Sequence, residues 1–431
     1  MQITGKRFDV AIVGGGLAGV VALAYARRAG LDAVVLERQG RVGGLWRDLP
    51  AWQDIQISTV DWQLGELPLQ GATQPHILAN IEAWVEHFGL ADGIRLNTPV
   101  QSAREDAAGW ELVTPKGLVH ARHLVAATGA HNTPAIPDCP RTGSTVREFH
   151  SSALRDPGLL TDRSVLVVGG GASAFDLLDL CFQQGARRVA WAFRGTRWFV
   201  PTRKPKHVAG SVRGFARLQA SGMTAAQQSA TIGADMRDRY EKFGITDIMP
   251  TRPFDVLHDQ LIPGRPGMLE HYADIDRHHA SVDNITGDTV ALSNGQTVQT
   301  ELLLWGTGYG IDLSYFASEA IASIRHVEAL AARCGCIFRS LDAPHLYFPG
   351  VGLDGIGSST WAYSLVCRTI MSHIKGTARL DEVPMGHKVN HFDIVQHLAP
   401  RDPASFPPDS WQSHYRDLAL NTPDELPYPI P

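Results

Sequence analysis

Phe8-Asp9-Val10-Ala11-Ile12-Val13-Gly14-Gly15-Gly16-Leu17-Ala18-Gly19 is the stretch on which the fold of this chain turns. A short apolar run that ends abruptly in glycines reads as a buried strand entering a tight turn. A helical stretch follows to about Ala29, and Gly30 fits as its C-cap. Ala33-Val34-Val35-Leu36 then reads as a second strand, ending at Glu37. Strand, turn, helix and strand within about 30 residues make one βαβ unit.

In that setting each glycine has its own task. Gly14 permits the turn, Gly16 lets the backbone approach a pyrophosphate, and Gly19 lets helix and strand pack closely. The pyrophosphate would rest on the free N–H groups at the start of the helix, around Leu17 and Ala18, where the helix dipole is positive. Glu37 lies 23 residues after Gly14, where a carboxylate can accept from ribose hydroxyls. A glycine turn in a plain α/β domain would not need that acid.

The pattern recurs 155 residues later. Ser164–Val168 reads as a strand, Gly169-Gly170-Gly171-Ala172-Ser173-Ala174 as the turn, and a helix runs to about Gln184 before Gly185. Ala174 replaces the third glycine, an accepted variant. The next strand, Val189–Phe193, ends at Arg194 instead of an acid, and Arg197, Arg203, Lys204 and Lys206 follow. A carboxylate there would repel the 2′-phosphate of NADPH, whereas a guanidinium grips it in a fork. Each charged hydrogen bond contributes about 1.5–3 kcal/mol. The plainer reading of the basic run is a solvated loop, and Arg194, at the strand end, fits that least. One acid-ended and one base-ended unit imply FAD and NADPH, with hydride passing when the nicotinamide and flavin rings stack.

Composition bounds the rest. The chain has 431 residues, enough for two or three domains at about 150 residues each. Lys+Arg 39 against Asp+Glu 44 gives a net charge of −5, so no basic field for nucleic acid exists. Hydrophobic residues at 44% exclude global disorder. The five cysteines, Cys139, Cys181, Cys334, Cys336 and Cys367, form no CxxC pair, which excludes a thioredoxin-type dithiol and a zinc ribbon. No apolar run reaches the ~20 residues of a membrane helix. The strand pattern beginning at Phe8 leaves no visible signal peptide, so the expected compartment is a reducing cytoplasm. HExxH, a Walker loop and a Ser-His-Asp arrangement are absent, and no metal site is expected.

The expected architecture is α/β, with two Rossmann-like dinucleotide-binding domains. An NADPH domain over 161–309, carrying a helical insertion at about 204–264, interrupts an FAD domain formed by 1–160 and 310–385. Nine of the 26 prolines fall after residue 383, and 386–431 reads as a Pro-rich C-terminal arm. Strand patterns at Glu301–Trp305 and His345–Phe348 each run into glycine. His278 and His279, adjacent in sequence, point to opposite sides and read as surface residues.

Over roughly residues 8–365 these motifs resemble the class B flavoprotein monooxygenases, the group holding flavin-containing monooxygenases, Baeyer–Villiger monooxygenases and N-hydroxylases. Gly43-Gly44-Leu45-Trp46 is similar to that family's GGxW segment, and Ala127-Thr128-Gly129 and Gly306-Thr307-Gly308-Tyr309 resemble its two ATG crossovers. The resemblance implies FAD contacts from Gly14, Gly16, Leu17, Ala18, Gly19 and Glu37, with Arg38, Gly44, Leu45, Trp46, Val100, Thr128, Gly129 and Asp354. It implies NADPH contacts from Gly169, Gly171, Ala172, Ser173, Ala174, Arg194 and Arg197, with Thr307 and Gly308; Ser173 to Asp176 occupy the family's NADP-contacting positions.

Two departures stand out. The family linker FxGxxxHSxx(Y/W) reads Ser144 to Leu154 here and keeps only His150 and Ser151. The family's flavin-facing Asn is missing from Ile57-Ser58-Thr59-Val60-Asp61, which leaves Ser58, Thr59 and Asp61 as catalytic candidates. The implied activity is NADPH-driven monooxygenation of a small organic substrate through a C4a-(hydro)peroxyflavin with dioxygen as co-substrate, at N or S. The alternatives are Baeyer–Villiger or aromatic-carbon oxygenation or halogenation by the same intermediate, and an NADPH-dependent flavin reductase or redox-sensing flavoprotein. The partners expected are the small-molecule substrate and a second copy in a homodimer, with neither nucleic acid nor membrane.

Overall fold

The computed structural model of the protein describes residues 6–55, 67, 69–202, 223–256, 259, 261–335, 339–350 and 359–376. The catalytic candidates Ser58, Thr59 and Asp61, the cofactor candidate Asp354 and the arm 386–431 lie outside them.

The first glycine turn joins β1 (Arg7–Val13) to helix α1 (Leu17–Arg28), which leads to β2 (Ala33–Leu36). β3 (Ile94–Arg95), β4 (Ser102–Asp106), β5 (Gly109–Thr114) and β6 (Gly117–Ala126) complete a sheet in the order β3-β2-β1-β6-β5-β4. β1 lies parallel between β2 and β6, and its apolar run is buried on both faces, as a central parallel strand requires. The far edge of β6 is shared: its first half pairs antiparallel with β5, its last half parallel with Leu346–Tyr347. The chain therefore returns to the first sheet some 220 residues after leaving β6. The helix Ser359–Ile374 follows and packs along α1, with the Cys367 thiol 3.8 Å from the Ala18 carbonyl.

The second sheet contains β7 (Arg147–His150), β8 (Ser164–Val168), β9 (Arg188–Phe193), β10 (Asp276–His279) and β11 (Leu302–Trp305), in the order β10-β9-β8-β11-β7, all parallel. Helix α2 (Ala172–Gln183) follows its glycine turn. The period of two along these strands decides what covers each face. Val165, Val167, Trp191, Phe193, Leu302 and Leu304 join the core that includes α2. Leu166, Val168, Ala192, Leu303 and Trp305 point the other way, against a three-stranded antiparallel meander of 282–286, 289–292 and 297–299. His278, read as surface, is buried on the meander side and bonds Gln296 Oε1 at 2.9 Å, whereas His279 is exposed. Alternation along β10 separates the two.

β7, placed in the first domain by a boundary at 160, is hydrogen-bonded into the second sheet beside β11. Its partner strand lies about 150 residues away, so no local signal marks the pairing. Of the expected helical insertion, the described part holds a helix at Ala225–Phe243, started by a Thr224/Gln227 capping box and ended by Gly244 in the left-handed region. Residues 203–222 lie outside the description.

The two glycine turns are closed by reciprocal residues. In the first unit the helix supplies Gly19 and the crossover strand Ala127; a Cβ on Gly19 would stand 1.9 Å from the Gly14 carbonyl oxygen and 3.6 Å from the Ala127 methyl. In the second unit the helix supplies Ala174 and the crossover supplies Gly306. A Cβ on Gly306 would stand 2.6 Å from Ala174 Cα. Gly306 is thus required by the closeness of Ala174, whereas Gly19 is required by the Gly14 carbonyl of its own turn. Gly306→Ala should cost about 1–3 kcal/mol, the usual penalty of overpacking, and Ala174→Gly in that background should recover part of it. Urea unfolding midpoints test this; an unchanged midpoint in Gly306→Ala contradicts it.

Candidate functional site: two glycine turns and paired crossovers

Both nucleotide turns are built where backbone touches backbone. Gly14 has φ +105° and Gly169 φ +131°, and a Cβ on either would stand 2.6 Å from the Ala127 oxygen or 2.2 Å from the Gly306 oxygen. Gly16 and Gly44 face each other: a Cβ on Gly44, at φ +54°, would stand 2.8 Å from Gly16 Cα. Gly43 N–H donates to the Gly15 carbonyl at 2.9 Å, so the Gly43–Trp46 segment is stitched onto the first turn. The Trp46 carbonyl in turn accepts from Gln74 Nε2 at 2.6 Å.

α1 and α2 start alike. Each has glycine at its N-cap, no side-chain capping bond and no acid in its first turn. The helix at 225–243, by contrast, is fully capped by its own side chains. An uncapped helix start presents N–H groups and the positive end of the dipole to an anion. Among the described residues nothing lies within 4 Å of the Cβ position of Gly171, at the start of the second helix.

The strand ends differ in charge. Glu37 is buried, and its carboxylate accepts from Gln39 N–H at 2.7 Å and from Gly15 N–H. A carboxylate offers about four lone-pair sites, so two donors leave capacity for two hydroxyls. Thr98 N–H donates to the Glu37 carbonyl at 2.8 Å, bringing the half-buried Val100 segment alongside. Arg38 is exposed and lies 3.7 Å from Asp48. At the other site, Arg194 and Arg197 are exposed and have no ion-pair partner among the described residues. Arg197 N–H donates to the Gly170 carbonyl at 2.9 Å, and a Cβ on Gly170 would stand 1.8 Å from the Gly195 oxygen. The middle glycine thus seats the arginine loop on the phosphate turn. Gly15 and Gly170 were missed as site residues, although Gly-Gly-Gly in both turns was a visible signal.

The two crossovers run side by side. Thr133–Pro134 pairs antiparallel with Tyr309–Gly310, and Ala135 N–H donates to the Gly308 carbonyl at 3.0 Å. Asn132 joins them again: its amide oxygen accepts from Asp312 N–H at 2.8 Å, and its Nδ2 donates to the Thr128 carbonyl at 3.3 Å. Gly129, at φ +84°, completes the first turn. The Thr307 hydroxyl donates to the Ala135 carbonyl at 2.5 Å, so that group serves the crossover contact.

His150, at the end of β7, is the hub of this region. Its Nε2 lies 2.9 Å from the Gly308 carbonyl, and Ser152 N–H lies 3.3 Å from Nδ1. Those partners require a neutral ring with the proton on Nε2. The Tyr309 ring meets it edge-on at 4.9 Å. Burial holds the His150 pKa below its ordinary value, and the Gly308 carbonyl opposes that shift.

Trp305, at the end of the strand pattern Glu301–Trp305, is fully buried on the meander side, and its indole N–H donates to Glu148 at 2.9 Å. Asp176, in the NADP-contacting stretch, is buried in α2 and accepts from Nε of the fully buried Arg265 at 2.7 Å. This pair ties the segment before the short helix Pro266–Glu270 to α2. Among the described residues, no three His, Cys, Asp or Glu side chains gather as metal ligands, and no helix is long and apolar enough to cross a membrane.

Fold and site together define an oxidoreductase-type chain with two dinucleotide-binding units. Residues 11–234 match the pyridine nucleotide-disulphide oxidoreductase family, and the chain belongs to it. It is 32% identical over 218 residues to a Baeyer-Villiger monooxygenase of Streptomyces coelicolor, covering 48% of this chain and 42% of that protein. It is 27% identical over 351 residues to the monooxygenase aurF of Gibberella zeae, covering 72% of this chain and 64% of the relative. The chain thus spans less than two thirds of the length of these relatives. Among solved structures it is similar to a flavin-containing monooxygenase from Stenotrophomonas maltophilia, with a TM-score of 0.63 and 17% identity over 86% of this chain and 99% of that one. A steroid monooxygenase bound to NADP gives a TM-score of 0.64 at 17% identity, over 86% of this chain and 85% of that one. These structural likenesses establish the fold.

Acid should loosen the molecule through its neutral histidines. His123, in β6, is held at a pKa of about 4 by burial and then by the nearby His345 and His373, and His150 is shifted in the same direction. The unfolded chain titrates near the ordinary value of about 6.5 and therefore binds more protons below it. Stability conferred by these neutral rings is complete above about 6.5, falls as the pH drops, and for His123 levels off below about 4. The loss attributable to His123 should be about 1–3 kcal/mol. Unfolding midpoints between about pH 7 and 4.5 should fall less steeply in His123→Phe than in the parent; parallel slopes contradict the assignment.

Proposed function

We propose that this chain is an FAD- and NADPH-dependent monooxygenase that delivers one oxygen atom from dioxygen to nitrogen or sulfur of a small organic substrate. The observation that carries this reading is the pair of uncapped helix starts, one beside a strand ending in Glu37 and the other beside a strand ending in Arg194. The relatives' names support the monooxygenase part of this reading, and the NADP-bound steroid monooxygenase structure supports the nicotinamide cofactor.

In this reading Gly14, Gly16, Leu17, Ala18 and Gly19 cradle the FAD pyrophosphate, Glu37 holds the ribose, and Gly44 with Leu45 and Trp46 lies along the flavin. The residues fit the group: the Gly16–Gly44 approach would be closed by any Cβ, and the Glu37 carboxylate is already oriented by two N–H donors. Gly169, Gly171, Ala172, Ser173 and Ala174 take the NADPH pyrophosphate, and Arg194 with Arg197 takes its 2′-phosphate. The bound flavin supplies hydride acceptance and dioxygen activation. His150, Asn132 and Thr307 hold the crossovers together, so that both cofactor sites keep one relative position. Ser58, Thr59 and Asp61 remain the proposed hydroxyl and carboxyl groups near the reacting atoms. The buried thiols of Cys139, Cys181, Cys334 and Cys367 suit a reducing compartment such as the cytoplasm.

A second reading is Baeyer–Villiger oxidation of a ketone, favoured by the Streptomyces relative's name and the retained His150–Ser151 pair. One experiment separates the two. FAD-loaded enzyme is given NADPH, oxygen and a panel of amines, thioethers and ketones, and products are read by mass. N-oxides, hydroxylamines or sulfoxides are expected. Esters from ketones support the second reading, and NADPH oxidation with no oxygenated product contradicts both. Arg194→Ala should raise KM for NADPH about ten- to a hundredfold, with that for NADH changed less than about twofold. Equal shifts in both remove the 2′-phosphate assignment.

A further inference from the structure

We propose that His279 is a specificity-determining residue of the second nucleotide site, joining Arg194 and Arg197 around the 2′-phosphate of the dinucleotide and making the preference for that phosphate depend on pH. The proposal rests on the reading of this unit as the NADPH site.

The geometry begins with strand register. β10 runs parallel beside β9, and Phe193 is paired with His279 at the last step of both strands. Register partners in a parallel pair project to the same face of the sheet. Phe193 faces the core that contains α2, the helix that leaves the second glycine turn. His279 therefore stands on the glycine-turn side of the sheet, while its neighbour His278 is turned to the meander. The two rings touch edge-to-face, 5.5 Å between centroids. Arg194 is the residue that follows Phe193, one step beyond the register of His279 at the carboxyl end of the neighbouring strand.

The site around them is short of acid. His279 is exposed and makes no hydrogen bond or ion pair among the described residues. Arg194 and Arg197 likewise have no ion-pair partner among the described residues. Several charged groups nearby in the chain are engaged among the described residues, with His278 Nε2 itself 3.2 Å from Asp276. On β10, Arg277 is bound to Asp247 at 3.1 Å, and Asp276 is bound to Arg188 at 2.7 Å. Asp247, on the turn 246–248, also accepts from the Tyr272 hydroxyl at 2.8 Å. On the strand 282–286, Asp283 is exposed and has no ion-pair partner among the described residues. His279 at the end of β10, and Arg194 and Arg197 in the segment that follows β9, thus lie at the carboxyl ends of two adjacent strands, and none of the three has an acidic partner among the described residues.

This arrangement distinguishes His279 from a solvated surface histidine. A phosphate monoester is close to dianionic near neutral pH, and two arginines alone do not titrate there. An imidazolium offers a charged N–H donor that the neutral ring lacks. Binding of the 2′-phosphate should therefore draw a proton onto His279. Affinity for the phosphorylated form should fall as the pH rises, and affinity for the form lacking the phosphate should not.

The test uses direct binding to the full chain, independent of turnover. Adenosine 2′,5′-bisphosphate and adenosine 5′-monophosphate are titrated by calorimetry between about pH 6 and 9 in buffers of different ionisation enthalpy. The parent should favour the bisphosphate, with proton uptake on binding and a preference that falls about three- to tenfold towards high pH. His279→Gln should abolish the uptake, flatten the profile and lower the low-pH preference to the high-pH value. His279→Arg should keep a high preference at every pH. Equal weakening of both nucleotides in His279→Gln, as adenine stacking would give, or unchanged binding of both, overturns the proposal. Arg194→Ala separates the underlying reading: if it lowers the bisphosphate preference while His279→Gln does not, the NADPH site stands and His279 is not part of it. If neither variant changes the preference, both fall.

Discussion

Backbone-to-backbone contact at the two glycine turns is the constraint on which the rest depends. At Gly14 and Gly169 the incoming strand must turn within van der Waals reach of the neighbouring crossover carbonyl, at Ala127 or Gly306. No Cβ fits there. Each turn aims an uncapped helix start at the carboxyl edge of its sheet and brings the end of the next strand alongside, followed by Glu37 in the first unit and Arg194 in the second. In the second unit the crossover itself must be glycine, because a Cβ on Gly306 would stand 2.6 Å from Ala174 Cα.

The second level of organisation is the seam between crossovers. A parallel α/β sheet offers its ligand site at the carboxyl ends of its strands. Here the two crossovers leave those ends and are bound to one another by the 133–134/309–310 pairing, by Asn132 and by Thr307. His150 adds a contact from the edge strand of the second sheet to the Gly308 carbonyl. The seam is a continuous run of hydrogen bonds, which suits a chemistry that needs two cofactors at a fixed distance.

Legibility in the sequence followed the range of the interactions. The two βαβ units, their glycines, Glu37 and Arg194 are local features, and spacing alone exposes them. The Gly43–Trp46 segment and the crossovers were readable through resemblance. What escaped notice is long-range. His150 meets Gly308 across 158 residues, Asn132 meets Asp312 across 180, and Asp176 meets Arg265 across 89. The membership of β7 in the second sheet and the inward turn of Trp305 have the same origin, since each is fixed by a strand far away in the chain. The split of His278 and His279 was readable as alternation, but which of them faces the core depended on a meander not yet formed.

The central claim is that the acid-ended and base-ended units hold an electron acceptor and a pyridine nucleotide donor within transfer distance. Anaerobic stopped-flow mixing of the flavin-loaded chain with NADPH tests it most directly. The account predicts complete bleaching of the oxidised flavin, at a rate that saturates with NADPH and reaches its half-maximum at a much higher concentration of NADH. A chain that retains flavin yet shows no bleaching at any NADPH concentration would contradict it.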